Sequence, residues 1–436
     1  MLVRALLIAL FLSRIVFAGD PLTLNEALRR ASEQNLEVRL AVLEADAADA
    51  DYRKTFSVFL PRVTLSETVV KTNDPLNTFG FKLKQEAVTM ADFNPAILND
   101  PDAITNYSTK AEVQLPLVNL DGLFGRQAAR YASLSAQAKI QRTSEYVRLE
   151  VKKTYFALVI ALRSVDVIDQ SIATARSGLE QARQYRSQGL IHQSDVIQAE
   201  IRLLDLDAKR LEVTSQTKAL SDQLGYLTGI EGDIVPVDTL GMPEDTPLPI
   251  SFDQVSAQRS DFRAIRAGID AARFMQRVQR SSLLPSINAF GSYEWNDPTF
   301  AGIGANSWMI GVVAKWEIFK GWDQIGELQK AAARKHQAET TLQQKRLQAE
   351  IEINAARREL TVAEKKTVLA KESVDQAVEN LRIVSDRYDK GLERTTDFLH
   401  AQTLVDNARL QYLQALYNYH SARFTLEFLT GSMHQN

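Results

Sequence analysis

The chain has 436 residues, 45% hydrophobic and 24% charged, a composition that excludes wholesale disorder. Its 51 Lys and Arg face 54 Asp and Glu, a formal charge of −3, so no global charge draws it to nucleic acid. There is no cysteine, and the five histidines include no pair at helical metal spacing, which excludes disulfide scaffolds, thiolate chemistry and paired-histidine zinc motifs.

Residues 1–18 read as a secretory signal peptide: Arg4 in a basic start, an apolar run from Ala5 to Leu12, and Val16-Phe17-Ala18 before the cut. Beyond it, no stretch approaches the roughly 18 consecutive apolar residues of a spanning helix, so any membrane crossing falls to β-strands. The first repeat, 19–230, opens with a predicted helix over 23–57, where Thr23 and Glu26 have capping-box spacing. Alternating apolar and polar residues predict strands at 61–73 and 107–118, separated by a loop at 74–106. A proline-free helix over 122–188 follows, about 100 Å long at 1.5 Å per residue. A turn at Gly189 leads to a returning helix over 194–229, with Ser194 as its expected N-cap.

After a linker at 231–249, residues 250–436 repeat that order. The elements are a helix over 251–282, strands at 285–297 and 306–319, a long helix over 322–390, a turn at Gly391 and a returning helix over 396–430 behind Thr396. The duplication is explicit in the residues. Ala47-Ala48 and Leu60-Pro61 recur 224 positions later as Ala271-Ala272 and Leu284-Pro285. Gly189-Leu190, Asp195, Ala199 and Leu227-Thr228-Gly229 recur 202 positions later as Gly391-Leu392, Asp397, Ala401 and Leu429-Thr430-Gly431. The fall of 22 places the surplus of the first copy in loop 74–106. An opening helix plus a returning helix matches one long helix, so two short helices are expected end to end beside each long one.

In 308–318, Trp308, Ile310, Val312, Ala314, Trp316 and Ile318 share one face, with Met309, Gly311, Val313, Lys315 and Glu317 on the other. A half-buried strand of a soluble sheet alternates in the same way. Beside a signal peptide and helices far longer than a globular domain, the pattern reads as lipid-facing barrel strands. Four strands cannot close a barrel and lipid does not tolerate open edges, so several chains must contribute.

These features resemble the TolC-like outer-membrane efflux proteins over essentially the whole mature chain. The resemblance rests on the duplicated turns, Tyr185 to Leu190 through Asp195-Val196 and Tyr388 to Leu392 through Asp397-Phe398, with the Leu-Thr-Gly endings and Leu-Pro strand starts. It implies a mainly α fold with a β-barrel portion: a homotrimer, a twelve-stranded transmembrane barrel and a coiled-coil-like tunnel of helical hairpins across the periplasm. It further implies a non-enzymatic exit duct in a Gram-negative outer membrane. The partners would be outer-membrane lipid, a periplasmic adaptor and an inner-membrane pump, in tripartite efflux or type I secretion.

By the same resemblance, a periplasmic gate is expected at Asp195, Tyr388, Glu393, Arg394, Asp397 and His400. Tyr388 matches a gate tyrosine bonded to the acid at Asp195. Glu393 stands where an arginine is expected, with Arg394 one step later. Asp397 matches a ring of pore aspartates and His400 the position of a second acidic ring. Gly189-Leu190 and Gly391-Leu392 match adaptor-docking tips. No catalytic, cofactor-binding or metal-binding residue is expected, because no nucleophile–base pair, phosphate loop or metal spacing occurs. The alternative reading is a soluble periplasmic helical adaptor or scaffold with a small β domain.

Overall fold

The computed structural model describes residues 19–239 and 259–432. The signal-peptide segment, the end of the linker and the start of the predicted 251–282 helix lie outside the described residues. In chain order the elements are β1 (Gly19–Leu22), α1 (Leu24–Gln34), α2 (Leu36–Lys54), β2 (Arg62–Thr72), α3 (Pro75–Lys84), α4 (Pro95–Asn99) and β3 (Ile104–Val118). Then come α5 (Leu120–Ser187), α6 (Gln193–Thr228), β4 (Asp233–Pro236), α7 (Ser260–Ser281), β5 (Ser286–Asp297), β6 (Ala305–Lys315), α8 (Asp323–Tyr388) and α9 (Thr395–Thr430). The described residues divide into two compact units, one of residues 19–42, 139–239, 259–262 and 344–432, the other of Leu43–Ala138 and Arg263–Gln343. Both repeats contribute to each unit. No helix among the described residues is long and apolar enough to cross a membrane.

The first unit is helical. Its main core gathers Ala27 and Leu28 of α1, Val151, Tyr155 and Leu158 of α5, Leu224 of α6 and Phe424 of α9. The opening helix predicted as continuous is broken at Asn35, whose ψ of 130° leaves the helical region. Its Oδ1 accepts from the N–H groups of Glu37 and Val38 at 2.9 and 3.3 Å, so it caps α2. Its Nδ2 donates to the carbonyl of Leu227 at 3.0 Å, sealing the end of α6. In the second repeat Arg259 donates to Leu429, the equivalent carbonyl, at 3.2 Å. The two joints use the same orphan acceptor and different donors.

Only half of the expected capping box forms. Thr23 Oγ1 accepts from the Glu26 N–H at 3.2 Å, but the Glu26 carboxylate turns to Arg29 and Arg30. Those guanidinium hydrogen bonds hold it at about 2. The linker also carries an unforeseen strand: β4 pairs in parallel with β1, Leu22 opposite Pro236. Two four-residue strands are too short to show periodicity.

The second unit holds an antiparallel sheet in the order β2-β3-β5-β6, with β2 and β6 as free edges. Its register aligns the alternation of all four strands. One row across the sheet is Leu65, Ala111, Tyr293 and Trp308, and the next is Val63, Val113, Gly291 and Ile310. The opposite face carries Thr64, Glu112, Ser292 and Met309, then Ser66, Lys110, Glu294 and Ser307. Glu67, a charge on the apolar side of β2, receives a hydrogen bond from Thr109 across the strand pair. Segment 74–106 is not a plain loop: it forms α3 and α4. Lys84 at the end of α3 pairs with Glu294 at 2.9 Å, so α3 reaches the polar face of the sheet.

Candidate functional site

The two interhelical turns that sequence analysis singled out both lie in the first unit. Helix α5 is 68 residues and α8 is 66, and each ends in the same capping geometry. Gly189 and Gly391 adopt φ of 73° and 70°, the left-handed conformation that glycine takes without strain. At the first tip the Leu190 N–H reaches the Tyr185 carbonyl at 2.9 Å and the Gly189 N–H reaches Arg186 at 3.0 Å. At the second, Leu392 reaches Arg387 and Gly391 reaches Tyr388, both at 2.9 Å. These are paired Schellman caps, in which the residue after the glycine ordinarily folds back onto the last helical turn. Here Leu190 and Leu392 are 66% and 65% exposed. The backbone closes each turn, and the leucine is left on display.

The N-caps of the returning helices lie two residues before the expected ones. His192 and Arg394 hold the N-cap positions, and Ser194 and Thr396 lie inside the first turn. Asp195 accepts from the His192 N–H at 2.9 Å, filling one of the free amides of the helix start. Asp397 is at the same position of α9 and exposed, one turn before exposed His400.

Tyr388 departs from the expected contact. It is buried, and its hydroxyl meets Thr395 Oγ1 at 3.3 Å rather than Asp195. Its ring stacks on Phe398 at 4.7 Å with an interplanar angle of 2°, and Tyr185 lies 6.0 Å away. Burial pushes its phenol above the usual tyrosine range. Glu393 is not a free acid, because Arg387 pairs with it at 2.8 Å across the turn. Arg394 is exposed and makes no ion pair among the described residues. The structure therefore brings Tyr388, Thr395 and Phe398 together as an aromatic clasp, and leaves Arg394, Asp397 and His400 facing solvent.

Further from the tips, a cluster that sequence analysis missed ties the α5–α6 hairpin to the α8–α9 hairpin. Arg202 of α6 pairs with Asp406 of α9 at 2.5 Å and also donates to Thr403. Ser171 of α5 donates to the other Asp406 oxygen at 2.6 Å, and Arg409 of α9 donates to Gln170 at 2.9 Å. The groups border a cavity of about 130 Å³, into which buried Gln402 also projects. Closer to the tips, Gln181 donates to Asp389 at 3.1 Å. A signal for the cluster was present in the repeat. Arg202 corresponds to Leu404 and Asp406 to Leu204, so the duplication is broken at both partners.

The family model for outer membrane efflux proteins matches residues 27–229 and 252–432. The chain is 22% identical to the cobalt-zinc-cadmium resistance protein CzcC of Cupriavidus metallidurans, over 95% of this chain and 91% of that protein. It is 19% identical to the outer membrane protein TolC of Escherichia coli, over 99% and 86% of the two. Among solved structures, the CmeC outer membrane channel of Campylobacter jejuni superposes with a TM-score of 0.80 at 18% identity, covering 94% of this chain and 85% of that one.

Proposed function

Because the chain belongs to the outer membrane efflux protein family, we propose that three copies of it close one twelve-stranded barrel and one periplasmic tunnel. The duct receives cargo from an inner-membrane pump through a periplasmic adaptor. The reading of a soluble adaptor gives way to family membership. The observation that carries the proposal is the four-stranded sheet, whose apolar rows are in register and exposed and whose edges β2 and β6 are unpaired. Unpaired N–H and C=O groups cost several kcal/mol each in hydrocarbon, so such a sheet is stable in lipid only when β2 of one copy meets β6 of the next. Exposed Leu190 and Leu392 supply the adaptor contact: a glycine turn lets another helix tip approach, and the leucine offers it apolar surface. The gate is formed by the second tip, where the Tyr388 clasp fixes the start of α9 and Asp397 and His400 line the constriction around the threefold axis.

Purification in detergent with light scattering and circular dichroism tests the assembly. The expected result is a helix-rich trimer that conducts ions in planar bilayers. A water-soluble monomer without conductance refutes it.

A further inference from the structure

Rigid duplication has a consequence for how copies meet. Within one chain, α9 presents Leu399, Thr403 and Asp406 to the first hairpin. Leu399 packs beside Leu179 and Ala182, and Thr403 and Asp406 receive Arg202. Subtracting the repeat offset of 202 gives Ile197, Ile201 and Leu204 on α6. They are 45%, 59% and 68% exposed, and their spacing of four and three makes one helical stripe. Adding 202 to Leu179, Ala182 and Arg202 gives Leu381, Val384 and Leu404, an apolar residue at every position. Leu404 is 41% exposed.

We propose that the seam between copies is built from the α6 stripe of one copy against Leu381, Val384 and Leu404 of a second copy, with Leu204 facing Leu404 where Arg202 faces Asp406 inside the chain. This rests on the assembly reading above and adds what that reading lacks, the chemistry of the contact. The occupant is a second copy because the same backbone positions, 202 residues apart, are already mated inside the chain. The two seams are chemically unlike. The internal one is a directional ion-pair network; the other is apolar, with the Gln170–Arg409 bond replaced by two acids, Glu372 and Asp207. Like charges there favour the copies parting at this level before the hairpins of one copy separate.

The cysteine-free sequence gives a clean test. The full chain carrying Leu204→Cys and Leu404→Cys is purified in detergent, sized by light scattering, oxidised and run without reductant. Disulfides need Cα atoms within about 7 Å, so bands at two and three times the chain mass support the seam. Either cysteine alone should give none. A trimer without the ladder, or with only a disulfide inside one chain, overturns the proposal and leaves the assembly reading intact. A wild-type monomer in the same detergent removes both.

Discussion

Replacing Leu190 and Leu392 together by Asp separates docking from folding. Both turns are closed by glycine and backbone hydrogen bonds, and neither leucine side chain is needed to hold them. Substitution should therefore change the stability of the isolated protein by no more than about 0.5 kcal/mol, as at ordinary surface positions. Docking is different. Full burial of a leucine is worth about 1.5–3 kcal/mol. With 66% and 65% of each side chain exposed, covering the tips recovers roughly 1–2 kcal/mol per leucine. Losing both removes roughly 2–4 kcal/mol, or about 30- to 1000-fold in affinity, before the cost of desolvating the new carboxylates. The assay is adaptor binding to immobilised channel, with light scattering of the same sample. Unchanged adaptor affinity with an intact assembly would refute the docking role of both tips.

Arg202→Leu should destabilise the chain by about 3–5 kcal/mol, because Asp406 is left part-buried without its cation. Adding Asp406→Leu should recover most of that loss, and thermal unfolding of the three forms checks it. Asp397→Ala is expected to lower cation preference in single-channel recordings, since rings of charge set which ions a pore admits. Identical selectivity would reduce Asp397 to an acid favoured by a helix start. Tyr388→Phe should cost about 0.5–1.5 kcal/mol at neutral pH, the worth of one neutral hydrogen bond. Because the folded phenol is raised, its stabilisation is complete below the unfolded value of about 10 and is lost as pH rises through the folded one. Melts above about pH 10 should therefore fall less steeply for Tyr388→Phe than for wild type.

Sequence alone determined the order of the long and returning helices and of the four sheet strands, because those signals are local. Absence of proline lets α5 and α8 run for tens of residues, period two marks β2, β3, β5 and β6, and Gly189 and Gly391 stop their helices wherever the chain lies. The internal repeat marks the surplus segment between β2 and β3 and pairs the turns at Gly189 and Gly391. Tertiary structure decided what each polar residue faces. Asn35 breaks a helix because the Leu227 carbonyl lies within reach of its amide. Thr395, not Asp195, takes the Tyr388 hydroxyl, and Arg387 claims Glu393. Arg202 and Asp406, 204 residues apart, become a pair only when two hairpins pack side by side. A helix pattern specifies which face is apolar, but hydrogen bonds of a few ångströms depend on the rotation and register of neighbouring helices, which no local stretch of sequence encodes.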